Sequence, residues 1–367
     1  MMKIALLTLS PSHNYGGILQ AVALYSYLES LGHEVTLINK KLHQSRWKEI
    51  FIKILEIVPF QNIKQKRLVA KKTTKLKLFV DSYLPRKSEK IISVVDLRCL
   101  IEGGNFDAVV VGSDQVWRYQ YIKDGHHDVY FLGFQSSRCI KKIAYAASFG
   151  KDEWEEPGCI SEISSFLKQF DAISTREKSG VSLCQNTFNV LGVENTLDPT
   201  MLVGSDFYDK YLVGLPGAAQ GKILVTYILD ESESKKTFIS EVKAALEADD
   251  DVYKQINLSD QEFGGFYSVE QWLWYIKNSD FVVTDSFHGM VFSILFGKQF
   301  IVIGNRERGL SRFLDLLESL NLNDRLVLLE QVHDVCLPLK IDFNEVNKRL
   351  SVLRNSSESF LRKSLSE

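Results

Sequence analysis

The chain has 367 residues, 45% hydrophobic and 25% charged, with a net charge of −2. That length exceeds one ordinary core, so two domains are expected of a soluble globular protein. The near-neutral charge argues against broad nucleic-acid binding, which needs clustered cations.

The run Lys3–Leu9 is continuously apolar and predicts a buried parallel strand. The turn Ser10–Gly17 leads into a helix with Ala21, Leu24, Tyr25, Leu28 and Leu31 on one face. Gly32 ends that helix and Glu34–Asn39 forms a second strand, a β-α-β unit that implies a parallel sheet. Residues 44–95 interrupt the pattern as a basic helical insert. An apolar stretch, Phe51–Val58, there precedes Lys64, Lys66, Arg67, Lys71, Lys72, Lys75 and Lys77. Strands resume at Asp107–Gly112, Lys142–Ala147, Asp171–Ser174 and Glu194–Leu202.

Gly204, Gly214, Pro216, Gly217 and Gly221 mark the best linker. A second alternating series follows: strand Ile223–Leu229, helix 234–247, strand 252–257, helix 269–277, strand 280–284, helix 289–296 and strand 300–303. A last helix over 342–365 either caps the structure or crosses back to the first domain. The expected division is 1–210 with the insert at 44–95, then 218–340, then a C-terminal helix within 341–367.

Two doubly wound α/β domains joined by a hinge form a cleft, and ligands in such sheets sit beyond the carboxyl ends of the strands. The polar turns at 10–17, 113–118, 174–177, 284–289 and 304–312 all belong there. The turn Thr284–Gly289 ends a buried strand and opens a helix. Unpaired N–H groups at such a helix start favour an anion, and His288 beside them can move protons near neutral pH. Asp285 either joins that site or caps the helix.

Asn14, Tyr15, Gly16 and Gly17 form either a ligand-approaching turn or a plain strand-to-helix turn, with Gln20 facing the same mouth. The turn lacks the Gly-x-Gly-x-x-Gly pattern, which argues against NAD or FAD. Ser113, Asp114, Gln115 and Trp117 follow a hydrophobic strand. Asp114 is suited to sugar hydroxyls or to a helix cap, and Trp117 to stacking on a sugar face. Arg118, next to them, reads as an exposed surface charge. Arg176 offers a fork for carboxylate or phosphate, or else a structural pair with Glu177 or Asp198. Arg306, Arg308 and Arg312 cluster at a later strand-to-helix junction, as anion ligands or as solvated charges.

The five cysteines are scattered without a Cys-x-x-Cys pair, which reads as a reducing cytoplasm. No export signal and no membrane-length apolar run is visible. The segment 51–77 is either a solvated helical hairpin or a peripheral contact with the inner face of a membrane. No spacing fits a zinc site, and the adjacent His126 and His127 point in different directions.

Asn14–Gly17 with Gln20, Val111–Trp117, Ser174–Glu177, Leu197–Thr200, Thr284–Gly289, and Asn305 with Arg308–Gly309 and Arg312–Phe313 together resemble the polysaccharide pyruvyl transferases. The resemblance spans about residues 3 to 315, outside the insert. It implies two Rossmann-like domains on a GT-B-like plan. It also implies transfer of a pyruvyl group from phosphoenolpyruvate (PEP) to two hydroxyls of a nucleotide-linked or lipid-linked sugar, for capsule, exopolysaccharide or cell-wall polymers. His288 is then the catalytic residue. Arg176, Ser286, Gly289, Asn305, Arg308 and Arg312 hold PEP. Asn14, Tyr15, Gly16, Gln20, Ser113, Asp114, Gln115 and Trp117 hold the acceptor. No metal or organic cofactor is required. The competing readings are a GT-B glycosyltransferase or sugar-nucleotide epimerase, and a non-catalytic sugar-binding component of an assembly complex.

Overall fold

The structure, a computed structural model, describes residues 1–12, 14–41, 73–123, 126–217, 221–248, 251–259, 267–304, 309–331 and 337–366. The first strands are β1 (Lys3–Leu7), β2 (Glu34–Lys40), β3 (Lys87–Ile91), β4 (Ala108–Val111), β5 (Lys141–Ala147), β6 (Ala172–Thr175) and β7 (Glu194–Asn195). They form one parallel sheet in the order β3-β2-β1-β4-β5-β6-β7. The second sheet holds β8 (Lys222–Tyr227), β9 (Tyr253–Asn257), β10 (Phe281–Thr284), β11 (Gln299–Ile303) and β12 (Leu326–Val327). Its order is β12-β11-β10-β8-β9, again all parallel. The protein is thus α/β with two Rossmann-like domains, each sheet reversing its winding direction beside its first strand. Such a reversal opens a crevice at the strands' carboxyl ends.

The central strands are buried on both faces, which is why they read as unbroken apolar runs: every residue of Ala108–Val111 and Phe281–Thr284 is buried. The edge strands are different. β3 has the sequence Lys-Ser-Glu-Lys-Ile with one buried residue, so its polarity hid it inside a segment expected to be helical. Ahead of it, residues 73–83 are helical and bury Leu76, Phe79 and Val80, while the insert's residues 44–72 lie outside the described part. The expected strand Glu194–Leu202 is also corrected. Only Glu194–Asn195 pairs, because Asp198 caps a short helix, Pro199–Leu202, with proline at its first position.

The helix Phe343–Leu365 runs back onto the first sheet's domain. Its Ser357 hydroxyl accepts the Leu197 N–H at 2.9 Å, Arg354 donates to the Met201 carbonyl at 2.9 Å, and Phe360 packs on Tyr145. No helix among the described residues is long and apolar enough to cross a membrane. Of the segment 51–77, residues 51–72 lie outside the described part.

Candidate active site

Between the two sheets lies a cleft of about 550 Å³. Asn14, Gly17, Asp114, Gln115 and Arg118 line it from the first domain, and Ser286, Phe287, His288 and Arg312 from the second. It is built from the chain that follows β1, β4, β8, β10 and β11.

His288 stands in the first turn of the helix Phe287–Leu295. That turn is fixed from below. Asp285 accepts the N–H groups of Leu229 and Asp230 and the Lys235 ammonium at 2.6 Å, tying the ends of β8 and β10 together. The helix cap is therefore Ser286, not Asp285, with its hydroxyl 3.4 Å from the Gly289 N–H. The N–H groups of Phe287 and His288 find no acceptor among the described residues. They are two of the orphan donors at every helix start. Gly289 is not among the residues that line the cleft. A Cβ there would lie 2.3 Å from the Thr284 hydroxyl, which is bonded to the Tyr227 carbonyl, so packing demands glycine.

The His288 ring lies against the first domain. A Cβ on Gly16 would be 2.0 Å from its Nδ1, so the helix Tyr15–Ser30 meets the imidazole where it has no side chain. Nε2 faces the buried Asp198 at 3.6 Å, an electrostatic contact too long for a hydrogen bond. Burial alone would raise the Asp198 carboxyl; His288 first, then Arg176, overcome it and hold the group well below the usual carboxylate range. Nε2 is buried and makes no hydrogen bond among the described residues.

The arginines divide by their partners. Arg176 is sealed in, 2.8 Å from Asp198, 3.6 Å from Asp114 and 3.9 Å from Glu177, and does not line the cleft. It serves the ion-pair alternative raised by its sequence. Arg312 does line the cleft and has no carboxylate partner among the described residues; its Nε is buried without a hydrogen bond. Burial, and then Arg176, push its pKa down to about 10, which leaves it charged at neutral pH. Arg118 is buried rather than exposed. It lines the same cleft, with its guanidinium bonded to the neutral groups of Gln115, Gln120 and Tyr121. Its position, one residue after a tryptophan that enters the core, was the available signal. Asn305 and Arg308 lie outside the described residues.

Several residues expected to hold an acceptor belong to the frame instead. Trp117 is fully buried, stacked on Phe131 with its N–H bonded to the Tyr130 carbonyl, so its ring cannot meet a sugar. Tyr15 stacks on Trp272 of the second domain and donates to the Tyr267 carbonyl at 2.9 Å. Gln20 donates to Thr8 and accepts the Ser113 N–H, and the Ser113 hydroxyl bonds to the Ala146 carbonyl. Asn14, Asp114 and Gln115 do reach the cleft. Asp114 caps no helix; it sits at φ 66° with its carboxylate toward Arg176. Away from the cleft, His127, Cys159 and Glu162 place ligand atoms within 4.8 Å of one another, with His127 and Glu162 already paired at 3.1 Å.

Solved structures share this architecture at low identity. A UDP-N-acetylglucosamine 2-epimerase matches at TM-score 0.56 and 12% identity, over 99% of this chain and 95% of its own. S. aureus MnaA, solved with UDP, matches at 0.51 and 12%, over 100% and 92%. The UDP-GlcNAc 2-epimerase of Methanocaldococcus jannaschii matches at 0.50 and 12%, over 99% of both chains. These likenesses establish the GT-B-like fold and nothing finer. No curated protein matches the sequence. A sequence profile does, that of the polysaccharide pyruvyl transferases, over residues 14–307. That span takes in most of the cleft's lining, from Asn14 to His288, with Ser10, Ser12 and Arg312 outside it, and the chain belongs to the polysaccharide pyruvyl transferase family.

Proposed function

We propose that the protein transfers the pyruvyl group of PEP to two hydroxyls of a sugar, forming a cyclic ketal and releasing phosphate. The observation that carries this reading is the company His288 keeps. Arg312, Arg118 and two free N–H groups, none paired with a carboxylate at ion-pair distance among the described residues, share one cleft with a histidine backed by a buried aspartate. PEP carries two anionic groups at the ends of a small molecule, and its methylene carbon must take a proton. A neutral ligand would leave these cations uncompensated in a partly dry site.

In this scheme the cations hold phosphate and carboxylate while His288 delivers a proton to the methylene carbon. C2 becomes oxocarbenium-like. One sugar hydroxyl adds to C2 and gives up its proton to the imidazole. The C2–O bond to phosphate then breaks, and the second hydroxyl adds, loses its proton and closes the ring. Two hydroxyl protons are released, one ends on the new methyl group and the other leaves with phosphate. Fixed cations offset the charge on the departing phosphate without reorganising. In the same scheme Asp114 and Gln115, which line the cleft, orient the sugar.

The test is PEP binding by ligand-observed NMR, followed by phosphate release once an acceptor is present. Binding should be saturable and weaken in Arg312→Ala. His288→Ala should bind PEP yet lose about 10²–10⁴-fold in turnover. Near-normal turnover in His288→Ala would remove that residue from the mechanism. Absence of PEP binding, with acceptor present, would remove the reaction.

A further inference from the structure

A second cavity, of about 230 Å³, opens beside the cleft and shares Ser10 and Ser12 with it. Its wall comes from the carboxyl end of β2, from the helical residues 73–83 and from the start of β3. The apolar side of residues 73–83 buries Leu76, Phe79 and Val80 in the first domain. This docking sets Lys77, the last lysine of the insert's basic run, over the end of β2, where it joins Lys41 and Lys87.

The charges there are unbalanced. Lys41 and Lys77 have no carboxylate partner among the described residues, and Lys87 pairs with Asp81 at 2.6 Å. Asp81 is held below its ordinary value by the hydrogen bond and charge of Lys87, with Lys77 adding to them. The Lys40 ammonium is turned inward to the Ile92 carbonyl and to His126, so it adds field rather than a contact. Three lysines thus face one carboxylate at a pocket bordered by the hydroxyls of Ser10 and Ser12. That is a site for a group with more than one negative charge and many acceptor oxygens.

We propose that this pocket holds the diphosphate through which the acceptor sugar is attached to its carrier, with the sugar reaching past Ser10 and Ser12 toward His288. The identity of what the diphosphate carries rests on the pyruvyl-transfer reading; the diphosphate site itself does not. A nucleotide and a lipid carrier present the same diphosphate, and the lysines read the group they share.

The test titrates inorganic pyrophosphate into the full-length protein, followed by 31P NMR. Arg312→Ala serves as background, so that binding through the cleft and binding through the lysines separate. Pyrophosphate should still bind in that background. Adding Lys41→Ala and Lys77→Ala should weaken it about tenfold or more, because charge-assisted contacts are roughly twice as strong as neutral ones. Both lysines are exposed, so the fold should survive their loss. Binding that vanishes with Arg312→Ala alone, or persists unchanged without the two lysines, overturns the proposal. UDP and geranyl diphosphate, titrated in parallel, identify the carrier: whichever binds more tightly through the same lysines names the source. PEP titrated into the wild type is read separately. Its failure to bind while pyrophosphate does would defeat the pyruvyl-transfer reading and leave the diphosphate site standing.

Discussion

Replacing Gly16 by alanine tests whether His288 is held in place by the opposite domain. An ideal Cβ at this position would sit 2.0 Å from Nδ1, 2.2 Å from Cγ and 2.7 Å from Cε1 of His288. Relaxed contacts need about 3.5 Å, so the ring must retreat by roughly 1.5 Å. A displacement of about 1 Å in a reacting constellation can reduce turnover about 10²-fold. The effect on stability is much smaller. Alanine in a helix gains about 0.5–1 kcal/mol over glycine, and overpacking takes away about 1–3 kcal/mol. The net loss is therefore at most about 2.5 kcal/mol by the same figures. Gly17→Ala is the control, because its Cβ would find nothing nearer than the Asp114 carboxylate at 3.6 Å. The assay compares melting temperature, phosphate release from PEP and the His288 imidazole resonances, assigned with His288→Gln. Gly16→Ala should shift those resonances and lose about 10²-fold in turnover, while Gly17→Ala stays near the wild type. If the two variants match in both turnover and imidazole shifts, the contact does not position the histidine.

Arg118→Gln should weaken PEP binding about 10–100-fold, since hydrogen bonds to a charged group contribute about 1.5–3 kcal/mol. Its melting temperature should hold because no ion pair is broken; unaltered PEP affinity would take Arg118 out of the site. Trp117→Ala should destabilise by about 3–5 kcal/mol as a core truncation. Trp117→Phe should keep ligand binding, and a stable Trp117→Phe protein that loses acceptor affinity would return the residue to the cleft. Burial lowers Lys142 to about 8 from an ordinary 10.5, against the hydrogen bonds its ammonium donates to the Leu132 and Phe134 carbonyls. The penalty for burying that charge is complete below about pH 8. Stability should rise as pH climbs toward 10.5, because there the unfolded chain holds a proton the folded one has shed. Melting curves of Lys142→Met should show less of that rise; a pH dependence parallel to the wild type would contradict the lowered value.

Periodicity and composition were enough to place most elements, the two parallel sheets and the turn bearing His288. These features are local: an apolar run, a cap, a glycine at a helix end, each legible within a few residues. The strands β3 and β12 escaped because one is a polar edge and the other only two residues long, so neither has a pattern to read. The assignment of roles was decided by residues far apart in sequence. Arg176 read equally as an anion ligand or as a structural pair with Glu177 or Asp198; Asp114 and Asp198, brought in by other strand ends, join its neighbour Glu177 around it. Arg118 looked like a surface charge because burial cannot be read from one residue's own type. Trp117 suggested stacking on sugar and Tyr15 an acceptor contact, and the fold uses both in aromatic packing. The glycine at position 16 was visible as a glycine. Its reason, the imidazole of the other domain filling the space where a methyl would be, exists only once the two sheets face each other.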